Sequence, residues 1–466
     1  MKKIVSILLI ASCQLSTISI HADGGITASM LKQIRENQTA SVSDKALANA
    51  IQANSIDLIA VNHSTQKDLN TYFSVETKSQ KITDQKSSGR CWMFSGLNVL
   101  RGDFAKKNND TLTIEFSEAY LFFYDQLEKA NMFLQGVIDC ADKPLDDLRV
   151  RFFFKSPIGD GGTFCGVADL TEKYGIVPKG VMPESFSSDN TSRMRQLLSS
   201  KLREYGLKLR KMVEGKAKKS DLTEEKTKML SQIYRMLSLT IGEPPSEFTY
   251  AFTDKKGKPS ETKHYTPQSF YKEVVGEKLN GTFIMAMNDP RREYYKTYEV
   301  EYDRHTYDGH NWIYINLPME DIENMAIAAL KDGRKLYSSY DVGKFLDRKR
   351  GYADLTNYDY ASLFGTTFPM NKAERISTFD SGSTHAMTLT AVDIDENGVA
   401  KKWKVENSWG GAWGQSGCLI MTAEWFREYM FRLVVPKQYV PEKILKANNQ
   451  TPIKVAPEDP LFAADE

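Results

Sequence analysis

The sequence predicts an α+β protein, with helices concentrated in its first half and strands in its second half. Apolar residues such as Phe94, Leu97 and Leu100 recur at helical spacing, so they would share one face of a helix. From about Phe283 the chain changes to runs rich in β-branched and aromatic residues, such as 336–340. The 466 residues are too many for one small core, so we expect two or three packed units.

Helices are predicted in four regions of the chain. A helical lead-in occupies 23–70, and a mostly helical segment runs from Gln85 to about Tyr174, with a glycine-rich turn at 159–162. Two long basic helices follow within 191–240, and one more helix is predicted at 320–331.

The predicted strands are short, and they cover 300–302, 312–315, 336–340, 386–392 and 402–407. In the last of them Trp403, Val405 and Asn407 alternate onto one face. A strand whose apolar face ends in an amide can present that amide beside an active site. The arm that follows, 436–466, is interrupted by prolines, and we expect it to be too irregular for a core element.

Charge and histidine spacing favour neither nucleic acid nor a metal. Lys+Arg 61 against Asp+Glu 60 gives a net charge of +1, which provides no general attraction to nucleic acid or anionic membranes. The basic residues between Lys208 and Lys219 lack interleaved aromatics, so we interpret them as a solvated helix face. The six histidines show no ligand spacing, and no phosphate-binding glycine loop occurs. The sequence therefore predicts no cofactor.

The N-terminus has the pattern of a targeting segment. Lysines at positions 2 and 3 precede a short apolar run, 4–11. Cleavage after Ala22 would make 1–22 a signal peptide, whereas lipidation of Cys13 would make the protein a lipoprotein. Either route predicts an exported protein, periplasmic or secreted, with membrane attachment only through Cys13.

A nucleophilic cysteine is predicted at Cys91, because Gln85 precedes it by six residues and an apolar helix follows it. His385 would take and return the proton, and its imidazolium would stabilise the thiolate. Asn407 would orient the imidazole, and Trp409 could cover the bond between them. Gln85 and the Cys91 amide would donate to the oxyanion of the tetrahedral intermediate. The four catalytic candidates are thus Gln85, Cys91, His385 and Asn407.

The other cysteines leave the redox state open. Apart from Cys13 and Cys91, the chain has Cys140, Cys165 and Cys418. At most one disulfide could form among these three, with three pairings, or all three could be buried as small hydrophobic residues.

Several segments resemble the bleomycin hydrolase/aminopeptidase C family, a branch of the papain superfamily. The resemblance extends from about residue 70 to the end of the sequence, and it is carried by 84–92, 120–123, 172–179, 341–344, 384–387 and 405–410. His385 follows Cys91 by 294 residues, whereas papain and cathepsins place this histidine roughly 130–150 residues after the cysteine. The difference corresponds to an inserted region.

The resemblance implies a papain-like two-domain fold, with a helical left domain, a β-barrel-like right domain, a helical insertion and a C-terminal arm. The division that we predict is a signal peptide at 1–22, a lead-in and left domain at 23–190, the insertion at 191–300, the right domain at 301–435 and the arm at 436–466. It also implies a homohexamer whose active sites face an inner chamber.

In that family the arm lies in the cleft, and its terminal carboxylate meets the substrate's α-ammonium group. The resemblance therefore implies an aminopeptidase that removes N-terminal residues from peptides through a Cys91 thioester. The Asp459-Pro460 pair is similar to the family pattern, whereas the acidic end at Asp465 and Glu466 departs from it. The alternatives are an exported cysteine endopeptidase with an open cleft and a non-enzymatic peptide-binding ring.

Overall fold

The structure is a computed structural model, and it describes residues 24–38, 41–65, 69–276 and 278–462. The predicted signal segment with Cys13, and the residues 463–466, lie outside the described residues. The chain divides into two compact units, Met1–Val61 and Asn62–Glu466.

The first unit contains three short helices, which confirms that the lead-in is helical. They are α1 (Ala28–Glu36), α2 (Val42–Ala53) and α3 (Ile56–Ala60). Each starts at a hydroxyl residue, and Thr27 and Ser55 accept backbone N–H bonds from the first turns of α1 and α3. These caps explain where the helices begin.

The helices of the second unit confirm the predicted helical regions. They are α4 (Cys91–Lys107), α5 (Glu118–Asp139), α6 (Leu148–Lys155), α7 (Phe164–Tyr174), α8 (Phe186–Asp189), α9 (Thr191–Glu214), α10 (Lys219–Thr240), α11 (Pro267–Val274), α12 (Met319–Lys331), α13 (Tyr360–Phe364), α14 (Lys372–Ser377), α15 (Ala423–Tyr429) and α16 (Glu442–Asn448). None of the helices in the described ranges is both long and apolar enough to cross a lipid bilayer.

The strands are β1 (Val75–Glu76), β2 (Leu112–Thr113), β3 (Phe248–Tyr250), β4 (Thr253–Asp254), β5 (Lys263–Tyr265), β6 (Phe283–Met287), β7 (Thr297–Val300), β8 (Ile313–Asn316), β9 (Leu336–Tyr340), β10 (Leu346–Asp347), β11 (Tyr352–Ala353), β12 (His385–Ile394), β13 (Ala400–Glu406), β14 (Cys418–Thr422), β15 (Met430–Pro436) and β16 (Ile453–Val455). Twelve of them form one sheet, in the order β10-β11-β14-β13-β12-β9-β15-β6-β8-β7-β16, with β1 added on β12. Two small antiparallel pairs, β2–β4 and β3–β5, form separate two-stranded sheets.

Two predictions about the sheet are wrong. The arm is not too irregular for a core element, because α16 buries Ile444 and β16 pairs in parallel with β7. The change to strands near Phe283 is confirmed, since β6 covers Phe283–Met287, and both β6 and β7 join the large sheet although they lie within 191–300, the range that we assigned to the insertion. The strand predicted at 300–302 ends at Val300, and Tyr302 follows with a positive φ of 63°. Strand pairing between distant segments decides all of these points, and local composition does not report it.

The large sheet separates two hydrophobic cores. One core contains Trp92 and the apolar faces of α4, α5, α7, α9 and α10. The other lies where α12 and α15 cover the sheet, and there Trp403 stacks on Phe426 with ring centroids 4.4 Å apart. Helix α4 packs against β12, where the Thr388 hydroxyl donates to the Ser95 carbonyl at 3.3 Å. This contact places the start of α4 beside the start of β12.

Helix α4 also packs closely against α7, at Gly96. A Cβ atom added to Gly96 would lie 2.6 Å from Cγ2 of Val167, which is closer than atoms in contact can approach. Valine is stiff at χ1, so it cannot move aside cheaply. The glycine therefore sets how near α4 lies to α7.

We expect Gly96→Ala to destabilise the protein by roughly 1–3 kcal/mol through overpacking, although alanine is the better helix former. Val167→Ala should relieve the clash, so the double variant should be more stable than the two separate losses predict. Urea unfolding of the four proteins measures this. Additive losses in the double variant would contradict the steric explanation.

Candidate active site

One cavity brings together three of the four predicted site residues. Gln85, Cys91 and His385 line it, and Trp409 closes one side. Asn407, the fourth, lies behind His385 and is buried. Side chains from the first and the second half of the chain therefore come together at this cavity.

Cys91 is the first residue of α4, as the sequence predicts. An amide in the first turn of a helix has no acceptor within the helix, and the helix dipole favours a negative charge there. The half-buried Cys91 Sγ atom accepts a contact of 3.5 Å from the backbone N–H of Ala386, the residue after His385. Just before it, the buried Arg90 is paired with Glu184 at 2.9 Å. The thiol is thus fixed between a helix start and the strand that carries the histidine.

The ring of His385 is oriented by Asn407. Nε2 of His385 lies 2.8 Å from Oδ1 of Asn407, and the same oxygen accepts the Ser408 N–H at 2.8 Å. Adjacent strands position the two residues, because His385 begins β12 and Asn407 directly follows its neighbour β13. The Trp409 indole lies over the imidazole, with ring centroids 4.8 Å apart. This arrangement leaves the other ring nitrogen, Nδ1, for contacts on the side of the imidazole that faces away from Asn407.

Burial lowers the pKa of His385 to about 4. The hydrogen bond with Asn407 acts in the opposite direction, and the positive charge of Arg348 adds to the lowering. The imidazole beside a neutral thiol is therefore uncharged at pH 7. An uncharged ring is the form that can accept a proton.

The side-chain amide of Gln85 is held at both ends. Its Nε2 atom donates to the Ser88 carbonyl at 2.6 Å, and its Oε1 atom accepts from the Ser408 hydroxyl at 2.5 Å. The backbone N–H of Gln85 also donates to the Ser408 carbonyl at 2.8 Å. The segment before Cys91 is therefore joined to the segment after Asn407.

The remaining cysteines of the described residues do not form a disulfide. Cys140, Cys165 and Cys418 are free and buried. Burial raises the pKa of each thiol, to about 11 for Cys418. The sequence left open a disulfide or three buried free thiols, and the structure has the buried free thiols.

The two histidines near the turn at 308–309 do not share a site. His305 is buried against Trp92 and lies 2.6 Å from an oxygen of Asp125, whereas His310 is bonded to Asp169. Within the described part of the chain, no group of three or more side chains that could bind a metal is found.

Sequence analysis missed several residues around the cavity. Asp160 and Arg195 line it and form an ion pair at 2.7 Å, and Lys335 pairs with Glu406, the residue before Asn407, at 2.7 Å. The turn at 159–162 was the only signal for Asp160. A pattern in sequence could not have revealed the partners, because they lie on distant elements.

The chain is similar to several known proteins of one family. Residues 25–462 match the model of the Peptidase C1-like family. The chain is 40% identical to bleomycin hydrolase of Homo sapiens, over 84% of this chain and 88% of that protein. It is 38% identical to aminopeptidase C of Lactobacillus delbrueckii subsp. lactis, over 89% of this chain and 93% of that protein.

A crystal structure of pepw from Lactobacillus rhamnosis superimposes with a TM-score of 0.89 and 36% identity. The match covers 94% of this chain and 99% of that one. This similarity confirms the predicted papain-like α+β fold and the resemblance on which it was based. The chain belongs to the Peptidase C1-like family, within the group that contains bleomycin hydrolases and aminopeptidases.

Proposed function

We propose that this protein is a cysteine-type aminopeptidase, which hydrolyses N-terminal residues from peptides through a thioester on Cys91. The observation that carries the proposal is the meeting of Cys91, His385 and Gln85 in one cavity, with Asn407 bonded to the histidine. The names of the relatives, among them aminopeptidases C, G and W, support the same class of enzyme.

The reaction has two halves. In the first, Cys91 Sγ bonds to the substrate carbonyl carbon while its proton passes to His385, and the C–N bond then breaks as His385 gives the proton to the leaving amine. In the second, His385 takes a proton from water and the hydroxide attacks the thioester carbonyl. The C–S bond then breaks, the N-terminal residue leaves as a carboxylic acid, and Cys91 takes the proton back from His385. In both halves the negative charge on the carbonyl oxygen is stabilised by Gln85 Nε2 and the Cys91 N–H.

Replacing Cys91 by alanine tests this proposal directly. Because the variant lacks the nucleophile, hydrolysis of aminoacyl fluorogenic substrates should fall by at least about 10³-fold. Cys140→Ala is a matched control, since that thiol is buried at the C-terminal end of α5 and does not line the cavity. Hydrolysis at the wild-type rate by the Cys91→Ala variant would exclude the thioester mechanism.

The low pKa of His385 determines the pH dependence. With a neutral thiol the imidazole accepts a proton only below about pH 4. Once Cys91 gives up its proton, the adjacent thiolate favours the imidazolium, which opposes the effect of burial. The proton therefore passes within the pair, and the pair keeps the same total charge.

We expect kcat/KM to be retained at mildly acidic pH and to fall as the pH drops through about 4, because the imidazolium cannot accept the thiol proton. Arg348→Gln should move this acidic limb of the pH profile to higher pH, since losing a nearby positive charge raises the pKa of His385. Lys349→Gln, the exposed neighbouring cation, is the control and should leave the limb unchanged. A limb unaffected by Arg348→Gln would rule out the assignment of this limb to His385.

The arm supports an exopeptidase rather than an endopeptidase. Asp459 is anchored by ion pairs with Arg291 at 2.8 Å and Arg292 at 2.6 Å. Three residues later, the buried Phe462 packs beside Arg432, with 5.8 Å between the guanidinium carbon and the ring centroid. Arg432 also lines the cavity that contains Cys91. The arm thus approaches the cavity, and we propose that the residues after Phe462 limit it to substrates with a free N-terminus.

The negative charge of Asp465 and Glu466 would attract the α-ammonium group of a substrate. Deleting 463–466 should therefore allow cleavage of an N-acetylated peptide that the intact protein leaves uncut. Asp459→Ala should have a similar effect, because it removes the anchor from both arginines. Mass spectrometry of the products distinguishes single released residues from internal cuts. Internal cleavage of the blocked peptide by the intact protein would favour the endopeptidase instead.

Export and assembly into a hexamer remain part of the proposal. The N-terminal lysines and apolar run support export, and the family resemblance supports the hexamer. The N-terminal sequence of the mature protein tests export, and its native mass tests the hexamer. A monomeric mass would contradict the proposed hexamer with an inner chamber.

A further inference from the structure

Asp160 lies in the wall of the cavity, and its buried carboxylate accepts hydrogen bonds from three residues, which lie on two different segments. Oδ2 accepts the Gly89 N–H at 2.7 Å and the Thr191 hydroxyl at 2.5 Å, and Oδ1 accepts from Arg195 at 2.7 Å. Burial acts to raise the pKa of Asp160, but these hydrogen bonds and the charge of Arg195 hold it below its ordinary value. The carboxylate is therefore charged at neutral pH.

The N–H that Asp160 binds belongs to the peptide unit between Ser88 and Gly89. The carbonyl of this same unit accepts the hydrogen bond from Gln85 Nε2 at 2.6 Å. A peptide unit is planar, so fixing the direction of its N–H also fixes the direction of its C=O. Hydrogen bonds in a chain also polarise one another, so a charged acceptor at one end strengthens the bond at the other.

The orientation of Gln85 leaves one N–H for catalysis. A side-chain amide nitrogen has two hydrogens, and the bond to Ser88 uses one of them. If the amide turned over, its oxygen would face the Ser88 carbonyl, which is also an acceptor, so the bond to Ser88 would be lost. The direction of the second N–H therefore depends on the direction of the Ser88 carbonyl.

Asp160 is itself fixed relative to the nucleophile. Its carbonyl accepts the indole N–H of Trp92, the residue after Cys91, at 2.7 Å. Lys129 donates to the carbonyls on either side, Gly159 at 2.9 Å and Gly161 at 2.7 Å. Asp160 thus contacts the chain both before and after Cys91.

We propose that Asp160 is a positioning residue, which directs the Gln85 side chain toward the oxyanion through the Ser88–Gly89 peptide unit. Thr191 and Arg195 connect this relay to the first turns of α9, so the region after residue 190 supports the geometry of the site. The inference rests on the proposed function, because it assigns Gln85 as the oxyanion donor.

The test compares reactions that form an oxyanion with one that does not. Asp160→Ala should lower kcat for an aminoacyl substrate about tenfold or more, within the roughly 10²–10³-fold that loss of an oxyanion donor costs, and KM should change little. Affinity for an aminoacyl aldehyde, whose adduct carries the oxyanion, should fall in parallel. Alkylation of Cys91 by iodoacetamide should keep its rate. Arg195→Gln keeps the bond from Gly89, so its loss should be smaller.

A double-mutant cycle with Gln85→Ala decides whether Asp160 acts through Gln85. In the Gln85→Ala background, Asp160→Ala should cause little further loss of kcat. An equal loss in both backgrounds, or unchanged aldehyde affinity in Asp160→Ala, would overturn the inference while leaving the thioester mechanism intact. If Asp160→Ala does not fold, the isosteric Asp160→Asn enters the same cycle, with a smaller expected loss because a neutral acceptor is weaker. Activity retained by Cys91→Ala would instead refute the proposed function.

Discussion

The site depends on the packing of helix α4 against strand β12. Cys91 and His385 are 294 residues apart, and they meet only because the helix that starts with one lies across the strand that starts with the other. The contact between Cys91 Sγ and the Ala386 N–H, at 3.5 Å, marks where the two elements meet. Everything else around the cavity orients groups that this packing has already brought together. The glycine at position 96 also contributes, because it allows α7 to pack closely against the same helix.

Much of the fold and the position of the candidate site could be predicted from local patterns. Enrichment in aromatic residues gave β9 at its limits, 336–340, and helical spacing gave α4. Short motifs were sufficient for Cys91 and His385, because each belongs to a segment, 84–92 or 384–387, that resembles the family. Fold and family are thus accessible where a residue's immediate neighbours decide its conformation.

The parts that could not be predicted depend on distant partners. Strand β16 has three residues, and only its parallel pairing with β7 makes it part of the sheet. Pro441 immediately precedes α16, so a residue that we interpreted as a break marks a helix start instead. The contacts of Asp160 join four segments of the chain, and no local pattern announces such a junction.

Several buried charges near the site are paired. Lys335 forms an ion pair at 2.7 Å with Glu406, the residue before Asn407, and Asp125 is hydrogen-bonded to both Lys129 and His305, next to Trp92. Such pairs add little net stability after the cost of removing both charges from water, but breaking one of them leaves an uncompensated charge in the interior. They favour one arrangement of the strands and turns over others, which is what a site with fixed hydrogen-bond directions requires.

The state of the cysteines has a practical consequence. Of the four that the structure describes, only Cys91 reaches the cavity, and burial raises the pKa values of the other three thiols. Among these four cysteines, a maleimide dye should consequently attach only to Cys91 in the folded enzyme. The label would count competent molecules in a preparation and place a fluorophore inside the cleft without any engineering of the chain.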